Sequence, residues 1–523
     1  MQAILTFLLF TIAVGVFTWY KLRDNRISSA TGYFLGGRTL GSTLIAISML
    51  LTNISTEHLI GMNGSAYKHG FVVMAWEVTS AIALVIGALY FIPRYLKMGL
   101  TTIPQYLELR FDQGTHTLVN LLLIVSFVVT LLPVVLYTGA LNFETLFDVS
   151  EKFNLSRDQS LWYLIIITGI LGSVYAIFGG LKAIAYSDAI YGLGLFVGGL
   201  VVPIIALLDI GNNSLSEGIS KVYAAAPEKF SAIGGKDSPV PFGTLFTGLV
   251  VNQIYFWCMN QVIVQRALGA ENLTEAQKGF LLMGLFKILM PLIIVLPGVI
   301  GFYYFGDTLY DRQDTIYPEL IKKILPLSMV GLFAAVVMGA ILSTMNAVLN
   351  SAATLFSFGV YKRQINPAAT DKQIVRVGRT TSILLAIFAI LVAPMVAKAP
   401  EGLYQLLQQL NGIFFIPIAS ILIGGFFIKS VSATGAKVAV ITGLIFYLVT
   451  TFWLKVDIHY IHIWGIEFVL NILVLLGVSA IYKNTNPYVP VHTGEVNITP
   501  WKYTRPVAIF LIVVTILIYY AMH

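Results

Sequence analysis

Apolar runs long enough to cross a bilayer recur from one end of this chain to the other, and nothing constrains its fold more. Met1–Tyr20, Phe71–Ile92, Leu118–Leu141 and Leu161–Phe178 are early examples; spanning hydrocarbon as a helix takes about 20 residues. Only 11% of the 523 residues are charged, against about 25% in an ordinary soluble domain. A water-soluble fold of this size has too few charges to cover its surface. The chain therefore reads as an all-α, polytopic membrane protein. The net charge of +7 is spread over short loops rather than gathered into a basic face, so it speaks for membrane topology and against nucleic acid. Cys258 is the one cysteine, which allows no internal disulfide and disfavours a metal cluster.

Residues 1–20 are apolar like a signal peptide, but no Lys or Arg precedes Lys21, and Lys21, Arg23 and Arg26 follow. A signal peptide has the opposite charge order, so the segment reads as a retained span with its N-terminus outside. Polar punctuation divides the chain into fourteen expected spans, near 1–20, 42–62, 71–95, 119–145, 160–178, 186–208, 243–267, 279–305, 329–357, 378–397, 403–428, 434–454, 464–482 and 506–521. With that orientation 20 Lys and Arg fall on the cytoplasmic side and 11 on the other; Lys287, inside a span, completes the 32. The excess obeys the positive-inside rule. The expected setting is a bacterial inner membrane with both termini on the periplasmic side.

Polar residues inside spans carry the functional information, because lipid-facing helices do not need them. Six of the seven residues from Thr52 to His58 are polar, among them Asn53, Ser55, Glu57 and His58. Such a stretch fits a helix interrupted within the protein, whose freed carbonyls and amides meet an ion or a solute; the plainer reading makes it a misplaced loop. The third span carries Glu77 and Ser80, the seventh Gln253, Phe256, Trp257 and Arg266, the eighth Lys287 alone among apolar residues, and the eleventh Tyr404 and Gln408. A buried ammonium needs a nearby acceptor; Glu77 is the first candidate and Asp188 the second. Asp188, near the cytoplasmic end of the sixth span, either pairs with Lys182 or guides a cation on its way out. Ser343 and Thr344 in the ninth span are either packing devices or two hydroxyl ligands of an alkali cation. Amides, aromatics and a few charges on separate spans suit a sugar, whose hydroxyls need two-way hydrogen bonds and whose apolar face an aromatic ring can cover. His459 and His462 lack a matching pair, so metal or haem binding is not expected.

The stretches Asn53–Gly61, Thr101–Leu107, Tyr175–Ala183 with Asp188, Trp257–Leu268 and Glu275–Gly279, in this order along nearly the whole chain, resemble the sodium/solute symporter family, and within it the sodium/glucose and sodium/galactose cotransporters. The resemblance implies two inverted five-helix repeats with interrupted first helices. It divides the chain into an extra N-terminal helix and loop at 1–41, a first repeat at 42–208, an extracellular loop at 209–242, a second repeat at 243–428 and three further helices at 429–523. It also implies that Na⁺, the coupling ion, lies among backbone oxygens of Leu51, Ile54 and Ala340 and the hydroxyls of Ser343 and Thr344. Sugar contacts would come from Asn53, Ser55, His58, Glu77, Ser80, Gln253, Lys287 and Gln408, with Trp257 and Tyr404 near the ring and Phe256 as a gate. The bacterial galactose cotransporter has Gln at the position of His58 and Asn at that of Gln253, and the gate is usually Tyr. The implied function is sodium-coupled import of a neutral hexose, or alternatively of a sugar acid, polyol or other small solute. Beyond solute, sodium and bilayer no obligatory partner is implied. A pure solute sensor is disfavoured because no long soluble segment follows the last span, and a channel because no filter-like repeat is present.

Overall fold

The computed structural model describes residues 2–22, 29–178, 180–398, 402–484, 488 and 492–523. Arg23 and Arg26 of the charge count and Gly179 of the 175–183 stretch lie outside them. The described residues are helical almost throughout, with two isolated bridges, Leu40 to Ala270 and Asn272 to Asn497. The all-α, polytopic expectation stands on that architecture.

Fourteen spans in two inverted five-helix repeats are not what the structure presents. Among the described residues nine helices are long and apolar enough to cross a membrane, or ten if Leu273–Leu289 and Pro291–Phe305, bent by 42°, form one span. The overcount arises because apolar length in a sequence is not helix length. The run at 42–62 yields a helix of 12 residues, Ser42–Asn53, and the run at 243–267 yields Gly248–Cys258 and Gln261–Leu268, of 11 and 8. At about 1.5 Å per residue none of these covers the roughly 30 Å of hydrocarbon alone.

The breaks have local causes. Ile54 and Ser55 are non-helical, and helix resumes as the π-helical turn Glu57–Met62 followed by Asn63–His69. Asn260 starts the helix Gln261–Leu268 by accepting from the Val262 amide at 2.9 Å, the usual role of an Asn before a helical run. The long helices Gly180–Ile210 and Leu327–Thr354 pack together where Gly339 faces Tyr191; a Cβ on Gly339 would stand 2.1 Å from that ring.

Beyond the break at Ile54–Ser55, the segment Glu57–His69 is wedged among neighbours by small residues. A Cβ on Gly61 would lie 2.8 Å from the Tyr404 Cβ, and one on Gly64 would lie 2.7 Å from the Gln313 carbonyl. Gly298 approaches from the third side, its amide donating to Asn63 Oδ1 at 2.9 Å. On this side of the molecule a vestibule of about 1710 Å³ opens, with Lys68, Arg157, Asp158, Asp311, Arg312 and Lys455 among its walls. The helix Leu403–Phe427 begins at its floor.

Candidate functional site

Below the vestibule the breaks in the two short-helix segments face one another across a small cavity. Lys287 projects from Leu273–Leu289 and is buried. Its ammonium donates to Asn53 Oδ1 at 2.7 Å, pairs with the Glu77 carboxylate and lies 5.2 Å from the Trp257 ring centroid. A charge this deep is tolerable only when paired and hydrogen-bonded, and here it has a carboxylate, an amide and an aromatic face. Gln253 spans the other side. Its amide donates to the Trp76 carbonyl at 2.8 Å and to Thr79 Oγ1 at 3.1 Å, while its oxygen accepts from Ser80 Oγ at 2.9 Å and Trp257 Nε1 at 3.2 Å.

The roof is aromatic. Tyr404 sits edge-on to His58 with centroids 5.2 Å apart and accepts from Gln408 Nε2 at 2.7 Å. Trp76 stands 5.9 Å from Tyr404, and Phe256 lies edge-on to Trp257 at 5.1 Å. The cavity holds about 60 Å³, room for little more than water. Tyr404 and Phe256 are among the side chains that close it.

The structure brings Asn53, His58, Glu77, Ser80, Gln253, Phe256, Trp257, Lys287, Tyr404 and Gln408 to the walls of this one cavity. Ser55 is not among its lining residues; its Oγ, one step away in the break, is buried without a hydrogen-bond partner among the described residues. Sequence reasoning missed Asn252, Asn411 and Phe415 in the lining, and gave no role there to Thr52, Glu57 or Asn260. A signal existed for two of them: 404, 408, 411 and 415 share one helical face.

The residues assigned to the cation lie one turn toward the other side. The amide of Ser55, which a continuous helix would aim at the Leu51 carbonyl, bonds to Asn53 O at 3.2 Å, and that of His58 bonds to Ser55 O rather than Ile54 O. The break thus withdraws the helical partners of Leu51 and Ile54. Across from it, on Leu327–Thr354, Ala340, Ser343 and Thr344 are buried; Thr344 Oγ1 donates to Thr52 O at 3.1 Å, and Ser343 Oγ lies 3.4 Å from Thr52 Oγ1. Asp188 accepts from Ser48 Oγ at 2.5 Å and faces Arg266 at 3.9 Å. Arg266 is itself tied to Ser48, Thr52 and the Val262 carbonyl.

At the vestibule floor, Asp314 from the loop accepts the Leu403 amide at 3.1 Å, the first amide of the helix that carries Tyr404 and Gln408. Burial pushes the Asp314 carboxyl up to about 6, partly offset by that amide.

The sequence profile of the Sodium:solute symporter family matches residues 33–443, taking in both breaks, the cavity and the Ser343–Thr344 pair. The chain belongs to the Sodium:solute symporter family. Membership makes it a sodium-coupled carrier of a small organic solute across the bilayer, not an enzyme. Of this symporter's relatives, the uncharacterized symporter YidK of Escherichia coli (strain K12) is 43% identical over 516 residues, 99% of this chain and 90% of the relative. The sodium/glucose cotransporter of Vibrio parahaemolyticus is 32% identical, covering 84% and 83%. The human sodium/myo-inositol cotransporter is 29% identical, covering 82% and 63%. Among solved structures, a Na⁺-coupled sialic acid symporter in its substrate-bound outward-open state shares the fold, with a TM-score of 0.79 at 19% identity over 94% of this chain and 99% of that one.

Proposed function

We propose that this symporter couples sodium to the movement of a neutral polyhydroxylated ring, a cyclic polyol or a hexose. The observation that carries the reading is the pairing of Lys287 with Glu77. Among the described residues lining the cavity, Lys287 is the one Lys or Arg, and it faces Glu77 with a second acid, Glu57, nearby. No unspent positive charge is left to receive a carboxylate, so a sugar acid is disfavoured and the amides of Asn53, Gln253 and Gln408 are left to meet hydroxyls. A relative named for myo-inositol transport and others named for glucose support both neutral classes. In this reading Na⁺ lies among the carbonyls of Leu51, Ile54 and Ala340 and the hydroxyls of Ser343 and Thr344. Thr52 is bonded to Thr344 on the ion side while Asn53, the next residue, holds Lys287 on the solute side. Two successive residues of one broken helix thus join the sites, and each ligand must tighten the other by the same factor. The test is equilibrium binding of labelled myo-inositol, galactose, glucose and a sugar acid to purified protein, with and without Na⁺. Preference for the sugar acid overturns the neutral assignment.

Two variants probe the flanks of this site. Asp188→Asn keeps the size and removes the charge that faces Arg266; if Asp188 guides the ion toward the far side, Na⁺ release slows and maximal uptake falls while equilibrium solute binding is retained. Normal uptake with normal sodium dependence removes Asp188 from the ion route. Asp314 gives a pH effect of defined sign. Because its carboxyl is held near 6, lowering the pH on the vestibule side from about 7.5 to 5.5 protonates it and weakens its hold on the Leu403 amide. The apparent KM for solute rises over that interval, and Asp314→Asn abolishes that part of the pH dependence. A wild-type KM flat across it, measured by initial uptake rates, shows that the Asp314–Leu403 contact does not govern access.

A further inference from the structure

A second cavity, of about 250 Å³, lies directly behind the solute pocket. Its walls are apolar: Ile82 and Ile86, Leu245, and Leu249 and Ile254, closed by the last helix, Thr504–Ala521. Its mouth faces the hydrocarbon, since Phe246 is 74% exposed, Ile516 59% and Val250 40% on membrane-spanning or adjoining helices. At one end it shares Phe242 with the vestibule, and at its back it shares Gln253 with the solute pocket.

Two hydroxyls inside it have no partner among the described residues. Thr515 Oγ1 and Tyr519 Oη, one turn apart on one face of the last helix, are buried without a hydrogen bond. A polar group left unsatisfied within the hydrocarbon region is costly, and water is poorly held in a space whose walls offer it so few polar partners. An occupant that suits both features is apolar along most of its length, enters from the bilayer, and brings acceptor oxygens but no charge to the vestibule-side end.

We propose that this cavity binds one acyl chain of a membrane phospholipid, whose ester oxygens accept hydrogen bonds from Tyr519 and Thr515 while the chain packs against Ile82, Leu249 and Ile254. The bound chain braces Gln253 from behind. Gln253 is held on its other side by Trp76, Thr79, Ser80 and Trp257, so filling the cavity fixes the wall the solute meets. This last consequence rests on the reading of the neighbouring pocket as the solute site; occupancy by lipid does not.

The experiment uses the full chain in nanodiscs containing a phosphatidylethanolamine with a photoactivatable diazirine midway along one acyl chain, and maps cross-links by mass spectrometry. The expected result is labelling concentrated on residues 242–254 and 511–519. The double variant Thr515→Val with Tyr519→Phe preserves shape and removes both donors, and lowers that labelling about tenfold. Val250→Trp, which blocks the mouth, abolishes it. Labelling spread evenly over the lipid-facing helices, or unchanged in the double variant, overturns the proposal; displacement by free fatty acid but not by unlabelled phospholipid overturns the assignment of the occupant. Cross-linking requires no solute, so a failure to bind any sugar or polyol leaves its outcome intact. Bracing is read separately as the ratio of Na⁺-dependent solute affinities in wild type and the double variant. A ratio of one, with cross-linking at the site, retains the lipid and removes the coupling.

Discussion

Lys287→Ala is expected to weaken Na⁺-dependent solute binding by at least about a hundredfold and to lower expression as well. The ammonium links Glu77, Asn53 and the Trp257 face, so its loss strands a buried carboxylate, and breaking a buried pair by removing one partner costs about 3–5 kcal/mol. The double variant Glu77→Gln with Lys287→Ala separates the two consequences. It removes the stranded charge, so expression and thermal stability recover, while binding stays low because the hydrogen bonds to solute are still missing. Equilibrium binding of myo-inositol and galactose, alongside unfolding temperatures of wild type, both single variants and the double variant, distinguishes them. Wild-type affinity in Lys287→Ala would take Lys287 out of the site and with it the charge argument for a neutral solute.

If Thr344 is a sodium ligand as proposed, Thr344→Ala is expected to raise the sodium concentration for half-maximal transport about tenfold, the equivalent of about 1.4 kcal/mol for one lost oxygen ligand. The helix persists because Ala is the better helix former and Thr344 lies in the middle of the 28-residue helix Leu327–Thr354. Ser343→Ala acts in the same direction. Through the Thr52–Asn53 connection the same variant also weakens solute binding measured at fixed sodium, by the factor that solute no longer contributes to sodium affinity. Sodium titrations of uptake in proteoliposomes decide the matter: half-saturation unchanged in both variants moves the ion elsewhere.

The chemistry was more legible in this sequence than the architecture. A polar run such as Thr52–His58 inside an apolar setting has few explanations in a membrane, and the lone Lys287 demanded a counter-charge; the structure supplies Glu77, as charge economy requires. Asn411 escaped notice although it shares a face with Gln408, because a single Asn in Leu403–Phe427 looks like packing until the cavity is seen. Span number was misjudged for a different reason. Hydropathy measures how much apolar sequence lies between polar marks and says nothing of where the backbone leaves the helix, so 42–62 and 243–267 counted as whole spans. In the structure Ile54 and Ser55 leave the helix, the Ser55 amide bonding to Asn53 O and the His58 amide to Ser55 O, and Asn260 opens a new helix at Gln261. Nor did the pattern reveal that Asp188 faces Arg266, since Lys182, six residues away, was the nearer choice along the chain.

The glycine seam around Glu57–His69 sets what substitution is able to change. At Gly61 and Gly64 a single added methyl group would run into the Tyr404 Cβ and the Gln313 backbone, neither of which yields without shifting a helix or loop. His58, Gln253 and Gln408 instead line the cavity, where a change of side chain alters its hydrogen-bonding pattern without meeting a packed backbone. Cavity lining and helix packing are therefore separable: the lining tolerates side-chain exchange, whereas the seam at Gly61 and Gly64 has no room for a Cβ. If the cavity is the solute site, such a partition would let its specificity change one side chain at a time while the seam stays fixed.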